Sequence, residues 1–417
     1  MKKATLYYLA AMALAIAPLA ACSDSNENDE PDPPGPDPVE KPEIPDDAVI
    51  LSEKGTANCY IVKPGAVAAF STTYKGNSTT EKVGPVAALR VVWTDVPALL
   101  ESVEYFADQD MALVSLAEKP GNALVAAVDA AGTVLWSWHL WVTDYDPEAS
   151  AYTTAPNAGG STWTFMDRNL GALSADPAEG QATHGLLYQW GRKDPFPAPA
   201  SYTELDENYQ YVDGKDGEAT LYDGEGNALP PVRSQTRTNG SVELSVANPG
   251  IFYAMGYIHT GEMDEYGEEI VLNDPLTGDW ADTSDDDRWG GVSMAKSIYD
   301  PCPPGWKVPV CDADGATPYE WLKYASMTWD TEAQGAAQDG QWFPACGTRV
   351  YVSGGCDFTE ANPYGGMWIG TAGKTSANLE MYPTLYGQYM FIINGKRTFK
   401  VNKDRRSQGM SVRAVRE

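Results

Sequence analysis

Clustered carboxylates are the first feature of this sequence that could support chemistry. Asp282, Asp285, Asp286 and Asp287 lie close together, beside an arginine and a tryptophan. Calcium prefers carboxylate oxygens, so the cluster is a candidate calcium site, although its spacing differs from that of an EF-hand loop. The alternative is a solvated acidic loop in an acidic protein.

Cysteines offer a second kind of chemistry. Cys59 lies far from the others along the chain, and we expect it to be a buried apolar residue. Four further cysteines allow three sets of disulfide pairings: Cys302, Cys311, Cys346 and Cys356. The most local pairings join Cys302 to Cys311 and Cys346 to Cys356, but the sequence leaves the connectivity open. The tight Cys-x-x-Cys spacing of zinc sites is absent from the sequence.

Aromatic residues could form a glycan site, because a flat ring stacks on the apolar face of a sugar while polar neighbours bind its hydroxyls. The candidates are Trp280, Trp289, Tyr364 and Trp368. Core packing is the alternative for each of them.

Catalytic patterns are weak in comparison. The three histidines are scattered and no Gly-x-Ser-x-Gly segment occurs, so no nucleophile and base are paired locally in the sequence. No catalytic residue is therefore assigned. Paired carboxylates for glycoside hydrolysis depend on spatial proximity, which leaves a surface enzyme acting on glycans as an alternative.

The N-terminal residues have the composition of an export signal. Lys2 and Lys3 precede an apolar run from Leu6 to Leu19 that is too short for a membrane-spanning helix. The run ends in Leu-Ala-Ala-Cys, which resembles the lipobox of bacterial lipoproteins. The resemblance implies a signal peptide over residues 1–21 and diacylation of Cys22 with fatty acids such as palmitate.

Residues 22–47 are acidic and rich in proline, a composition that buries little apolar surface. We expect them to form a disordered, extended tether. An acidic run after a lipidated cysteine resembles the surface-export signal of Bacteroidetes lipoproteins, which implies attachment to the outer membrane with the protein facing outward. The net charge of −29 repels nucleic acid and excludes that class of partner.

Residues 48–146 show short apolar runs separated by turn residues, which predicts an N-terminal β-sandwich. The clearest element is a hairpin from Ala123 to Val142. Alternation places Trp136 and Trp138 on a core face and His139 with Trp141 on the other. We expect this second face to pack against the following domain, with ligand contact by His139 as the alternative.

Two stretches of this domain, from Ala57 to Gly65 and from Trp136 to Asp144, resemble domains of Bacteroidetes surface and fimbria-associated lipoproteins. The resemblance implies a spacer or pilin-like module.

Seven segments rich in aromatic residues and glycine follow one another within residues 160–417. They are TWTFMDRNLGA from Thr162, GLLYQWGRKDPF from Gly185, YDPCPPGWKVPV from Tyr299, TPYEWLKY from Thr317, WFPACGTR from Trp342, MWIGTAG from Met367 and the closing GMSVRAVRE. Together they resemble the Fibrobacter succinogenes major paralogous domain, which is similar to C-type-lectin-like folds related to formylglycine-generating enzymes. The resemblance implies an α+β domain that binds ligands through surface loops.

This domain departs from the family at its end, where Ala414 occupies a position that is often cysteine. The departure implies that Cys302 pairs elsewhere, most simply with Cys311, or stays reduced. Within the domain, Thr317, Pro318 and Glu320 predict the start of a helix, with threonine as the N-cap.

The expected fold is therefore mainly β, an N-terminal β-sandwich followed by a C-terminal α+β, C-type-lectin-like domain. The expected function is that of a surface lipoprotein, an adhesin or fimbria-associated subunit that binds glycan or protein ligands. A structural fimbrial subunit without ligand binding and a surface enzyme are the alternatives. The expected partners are the outer membrane, a glycan or surface protein, and fimbrial subunits.

Overall fold

The computed structural model describes residues 43–417 apart from positions 205, 208–211, 213–214, 237–239, 256, 264, 268, 274–277, 292–294, 361–362, 374–385 and 394–400. The signal peptide, Cys22 and the tether up to residue 42 lie outside the described residues.

Eight strands make up the first part of the described chain. They are β1 (Val49–Ile50), β2 (Cys59–Val62), β3 (Val67–Ser71), β4 (Ala88–Thr94), β5 (Leu100–Phe106), β6 (Met111–Leu116), β7 (Gly121–Val128) and β8 (Val134–Val142). They form two four-stranded sheets with the orders β1-β3-β6-β5 and β2-β8-β7-β4. The hairpin predicted from the sequence is confirmed, because β7 and β8 pair antiparallel with Ala127 opposite Trp136.

The two sheets pack against each other through one hydrophobic cluster. Strands from both sheets contribute to it, including Phe70 from one and Trp138 and Leu140 from the other. Each of these side chains is fully or almost fully buried. Alternation along β8 brings Trp136, Trp138, Leu140 and Val142 to this face, as the sequence predicts.

The opposite face of β8 is buried as well. It packs against the part of the chain that follows β8, which is called the second or C-terminal part below. Trp141 lies in a hydrophobic cluster with Met166, Tyr188 and Trp306, and its Nε1 donates a hydrogen bond to the carbonyl of Ala172 at 3.2 Å. The prediction that this face packs against the following region is confirmed. Residues Glu43–Glu417 accordingly form one compact unit, and the domain boundary between residues 146 and 160 stays a prediction.

The described residues after β8 form nineteen further strands. They are β9 (Tyr152–Thr153), β10 (Thr164–Phe165), β11 (Leu186–Gln189), β12 (Phe196–Pro197), β13 (Arg233–Thr236), β14 (Ile251–Ala254), β15 (Tyr257–Met263), β16 (Glu269–Asn273), β17 (Trp306–Lys307), β18 (Thr328–Asp330), β19 (Gly335–Gln338), β20 (Gln341–Pro344), β21 (Thr348–Arg349), β22 (Cys356–Asp357), β23 (Tyr364–Gly373), β24 (Tyr386–Ile393), β25 (Val401–Arg405), β26 (Gly409–Ser411) and β27 (Val415–Arg416).

The largest sheet has the order β12-β11-β26-β23-β24-β25, with β21 and β22 attached beside it. A second sheet has the order β17-β27-β10-β9, so the last strand of the chain pairs with β10 through Phe165 and Val415. The helices are short: α1 (Pro147–Ser150), α2 (Val242–Ala247) and 3-10 helices at Pro177–Thr183 and Tyr324–Ser326. The mainly β class predicted from the sequence is confirmed.

The helix predicted to begin at Thr317 is wrong. Residues 318–321 form turns, and the Thr317 hydroxyl accepts a hydrogen bond from the backbone of Tyr319. The side chain of Gln338 on β19 binds the main chain on both sides of Leu322, accepting from the N–H of residue 323 and donating to the carbonyl of residue 321. This strand therefore binds backbone groups that a helix would satisfy internally.

In the part of the chain that the structure describes, no helix has both the length and the apolar composition needed to cross a membrane.

The cluster between the two sheets predicts which residues carry the stability of the first part. Replacing Phe70, whose ring centroid lies 5.3 Å from those of Tyr60 and Trp138, with alanine should lower the free energy of unfolding by about 3–5 kcal/mol. Urea unfolding followed by tryptophan fluorescence measures this change. The control Val49→Ala, at a position that is 53% exposed, should change it by less than about 0.5 kcal/mol. Equal effects of the two substitutions would contradict the assignment of this core.

Candidate functional site

An open cleft of about 830 Å³ lies where β23, β24 and β25 meet the loop that follows β17. Its volume falls in the range of small-ligand sites, roughly 300–1,000 Å³. The described residues that line it are Cys311, Asp312, Ala313, Gly315, Thr371, Ala372, Gly373, Gln388, Val401, Asn402 and Lys403. They combine one acidic, one basic and several neutral polar groups with small apolar side chains.

Hydrogen bonds hold the side chain of Asp312, the one acidic residue of the described lining, in place. Asp312 Oδ2 accepts from Asn157 Nδ2 and from Ser161 Oγ, each at 3.0 Å. Its other oxygen accepts from the backbone of Ala316 at 2.8 Å. These hydrogen bonds, the one from Asn157 first, hold the pKa of Asp312 below its usual range. The cleft therefore presents a carboxylate at neutral pH.

The sheet supplies the remaining polar groups. Gln388 Nε2 donates to the carbonyl of Ala372 at 3.0 Å, which fixes the orientation of its amide. Asn402 is exposed on β25, and the ammonium group of Lys403 lies 5.0 Å from the centre of the Tyr386 ring. Donors and acceptors on three adjacent strands can bind the hydroxyl, amide or carboxyl groups of a ligand.

A nucleophilic role for the cysteine in this cleft is disfavoured. The backbone N–H of Cys311 donates to Thr371 Oγ1 at 2.8 Å, and its sulfur lies 3.9 Å from Gln388 Oε1. Burial raises the pKa of the Cys311 thiol, so the thiol is protonated at neutral pH and is a poor nucleophile.

The prediction that three tryptophans bind a ligand as exposed rings is wrong. Trp280, Trp289 and Trp368 are at most 1% exposed. Each indole N–H donates to a backbone carbonyl within the fold, that of Trp368 to Tyr188 at 2.7 Å. Such rings serve the core, because no sugar can reach their faces.

Tyr364, the fourth candidate, is half-buried and lies outside the set of residues that line the cleft. Its hydroxyl donates to Asp357 Oδ2 at 2.6 Å, and its ring centre lies 5.9 Å from that of Phe391. These contacts hold the side chain within the fold, and its role in ligand binding stays a prediction.

The acidic cluster does not assemble a calcium site. Asp285 Oδ1 accepts from the backbone of Asp287, and Asp286 forms an ion pair with Arg406. Among the described residues, no group of three or more His, Cys, Asp or Glu side chains could hold a metal ion. The calcium site predicted at Asp282, Asp285, Asp286 and Asp287 is therefore wrong, because one of these carboxylates balances a buried arginine.

That arginine belongs to a buried network that the sequence pattern did not reveal. Arg406 and Arg288 are both 1–2% exposed and share the carboxylate of Asp279, at 3.3 and 2.8 Å. The guanidinium carbon of Arg406 lies 4.4 Å from the centre of the Trp190 ring. Two buried cations beside one carboxylate need further negative charge, which Asp286 supplies.

The cysteine pairings predicted from the sequence are absent from the structure. All five described cysteines are buried and free. Cys346 Sγ lies 3.0 Å from Ser411 Oγ, and Cys356 Sγ donates to Glu218 Oε2 at 3.2 Å. Burial raises the pKa of Cys356 to about 12 and also raises that of Cys346. Both thiols are therefore protonated at neutral pH, so neither position holds the reactive thiolate that the resemblance to formylglycine-generating enzymes would suggest.

A buried polar chain joins the two parts of the molecule. His139 Nε2 lies 2.9 Å from Asn122 Oδ1, and Asn122 Nδ2 donates to Asp95 Oδ2 at 2.7 Å and to the carbonyl of Gly171 at 3.0 Å. Asp95, Asn122 and His184 line a small cleft of about 150 Å³. Burial lowers the pKa of His139 to about 3 and that of His184 to about 4.

Comparisons with known proteins returned no match: no family model, no curated protein and no solved structure is significantly similar to this chain.

The buried histidines predict a loss of stability in acid. Between pH 6.5 and about 4, His184 binds a proton in the unfolded chain but not in the folded protein, so the free energy of unfolding falls as the pH falls. His184→Gln should remove roughly 2–3 kcal/mol of this decrease, while the pH 7–8 region serves as the internal reference. Urea unfolding at several pH values measures how the free energy of unfolding changes with pH in the variant and in the unaltered protein. Identical slopes for the variant and the unaltered protein would contradict the assignment.

Proposed function

We propose that this protein is a surface lipoprotein that binds a glycan or protein ligand through its C-terminal part. It acts as an adhesin or as a fimbria-associated subunit, including one at a fimbrial tip. The observation that carries the proposal is the open cleft at β23, β24 and β25, which offers charged and neutral polar groups on adjacent strands of one sheet.

Binding is favoured over hydrolysis by the groups that line this cleft. Glycoside hydrolysis uses two carboxyl groups roughly 5–9.5 Å apart, whereas the described lining contains a single carboxylate, Asp312. A low pKa suits a hydrogen-bond acceptor better than a general acid. The protonated thiol of Cys311 does not replace the missing group.

The proposal includes the domain arrangement expected from the sequence, a β-sandwich followed by a C-type-lectin-like domain. Two packed four-stranded sheets in the first part support the sandwich. Pairing of β27 with β10, close to the start of the second part, supports a lectin-like domain, since terminal strands that meet are typical of that fold.

Attachment to the outer membrane through Cys22, with the described part facing outward, is also part of the proposal. Its support is the export signal and the acidic segment that follows the cysteine. The cleft lies in the part of the chain farthest in sequence from the anchor. The described residues that line it all lie between Cys311 and Lys403.

A structural fimbrial subunit without ligand binding is the second candidate. The burial of Trp280, Trp289 and Trp368 favours it, because the exposed rings typical of glycan sites are not found at these positions. The two candidates differ in whether the cleft binds a ligand.

Substitutions in the cleft test the binding proposal. The fragment Glu43–Glu417, one compact unit, is applied to glycan and extracellular-protein arrays with and without calcium. The double substitution Asn402→Ala and Lys403→Ala should weaken binding at least about tenfold, since it removes polar contacts worth about 1.4 kcal/mol or more.

The matched control is Lys323→Ala, an exposed lysine outside the cleft, which should bind as the unaltered fragment does. Equal binding by all three proteins would contradict the assignment of the cleft. Absence of any ligand, together with incorporation into isolated fimbriae, would favour the structural subunit. Turnover of a glycan would favour an enzyme.

The anchor predicts a simple labelling result. In an exporting Gram-negative host fed a clickable palmitate analogue, the full chain should carry label in the membrane fraction, and Cys22→Ser should abolish the label and release the protein. Cys59→Ser changes another cysteine and should retain the label. Label that persists in the Cys22 variant would contradict the lipidation site.

A further inference from the structure

The surroundings of the five buried thiols separate them into two groups. Cys346 contacts Ser411, Cys356 donates to Glu218, and Cys311 lies in a different hydrophobic cluster from Cys302. These three cysteines each have a separate environment. Cys59 and Cys302 are the exception, because both are wholly buried within the same cluster.

The fold places these two cysteines in one cluster from positions far apart in the sequence. Cys59 begins β2 and lies opposite His139 of β8. Alternation turns Cys59 and Ile61 toward the C-terminal part, whereas Tyr60 and Val62 face the core between the two sheets. Cys302 lies in the loop before β17.

Hydrogen bonds hold the two cysteine segments side by side. Asn58 Nδ2, in the residue before Cys59, donates to the carbonyls of Ile298 and Asp300 at 2.7 and 2.8 Å. Asp300 Oδ1 in turn accepts from the backbone N–H of Cys302 at 2.8 Å. The main chain is thereby fixed on both sides of the junction.

The electrostatic environment is consistent with this proximity. Burial raises the pKa of both thiols, and the charge of Lys296 opposes the rise in each. Lys296 Nζ donates to the carbonyl of Cys302 at 3.1 Å. Cys59 also adds to the rise in the pKa of Cys302, after burial and the charge of Asp300.

We infer that Cys59 and Cys302, whose thiols are free in the structure, become joined in the exported protein by a disulfide that links the sheets of the first part to the C-terminal part. The inference rests on the proposed export, because disulfides form in oxidising compartments. Both sulfurs are inaccessible in the folded protein, so the bond forms before folding is complete.

The reaction is a thiol–disulfide exchange with a disulfide oxidoreductase or oxidised glutathione. One protein thiolate attacks the oxidant's disulfide to give a mixed disulfide, and the second thiolate displaces the oxidant's sulfur. The two protein thiols lose two protons and two electrons, and the oxidant's disulfide is reduced to two thiols.

Peptide mapping tests the pairing directly. Trypsin places each of the five cysteines on its own peptide, with Cys59 on Gly55–Lys75 and Cys302 on Ser297–Lys307. The full chain carrying Cys22→Ala is refolded in a glutathione redox buffer, alkylated in denaturant and digested without reduction. Mass spectrometry should find these two peptides linked.

Alkylation of both cysteines, or a link from Cys302 to the Cys311 peptide, would overturn the inference. Refolding supplies the oxidant, so a missing link contradicts the pairing alone, while export is tested separately by palmitate labelling.

Thermal unfolding gives a second measurement that tolerates destabilised variants. Oxidised chain should melt at least about 3 °C above reduced chain, because the bond closes a long loop in the unfolded state. Cys302→Ser should lose this difference between oxidised and reduced forms, whatever its own stability, and Cys346→Ser should keep it. A difference retained by the Cys302 variant would overturn the pairing.

Discussion

Burial of β8 on both faces is the constraint on which the rest of the structure depends. One face of the strand closes the core between the two sheets through Trp136 and Trp138. The other face carries Ser137, His139 and Trp141 into the contact with the C-terminal part. A strand in this position cannot change register, because a shift of one residue would place polar groups in the core.

Several polar side chains at this contact pair with one another, which makes the contact specific. Ser137 Oγ donates to Asp194 Oδ1 at 2.6 Å, and the same oxygen forms an ion pair with Lys193 at 2.6 Å. All three side chains are at most 2% exposed. Loss of one partner would leave a buried charge, and such losses cost about 3–5 kcal/mol. The two parts form one compact unit.

The same demand for compensation explains why the features that looked functional in the sequence are structural. An acidic loop residue, Asp286, balances Arg406, and conspicuous tryptophans donate their N–H groups to carbonyls inside the fold. The open cleft is lined instead by polar residues such as Gln388 on β24 and Asn402 and Lys403 on β25.

The sequence by itself determined the mainly β class, the β7–β8 hairpin and the two faces of β8, because alternation and turn chemistry are local properties. The sequence also predicted that the second face packs against the following region, but the tertiary structure alone decided which residues that face contacts. Thr317 has the local signals of a helix start, yet Gln338 of β19 binds the main chain of residues 321 and 323, where the helix would lie. Cys302 has a near neighbour in sequence, Cys311, yet the fold buries it in the cluster that contains Cys59. Such outcomes depend on contacts between distant residues, which the order of residues along the chain does not express.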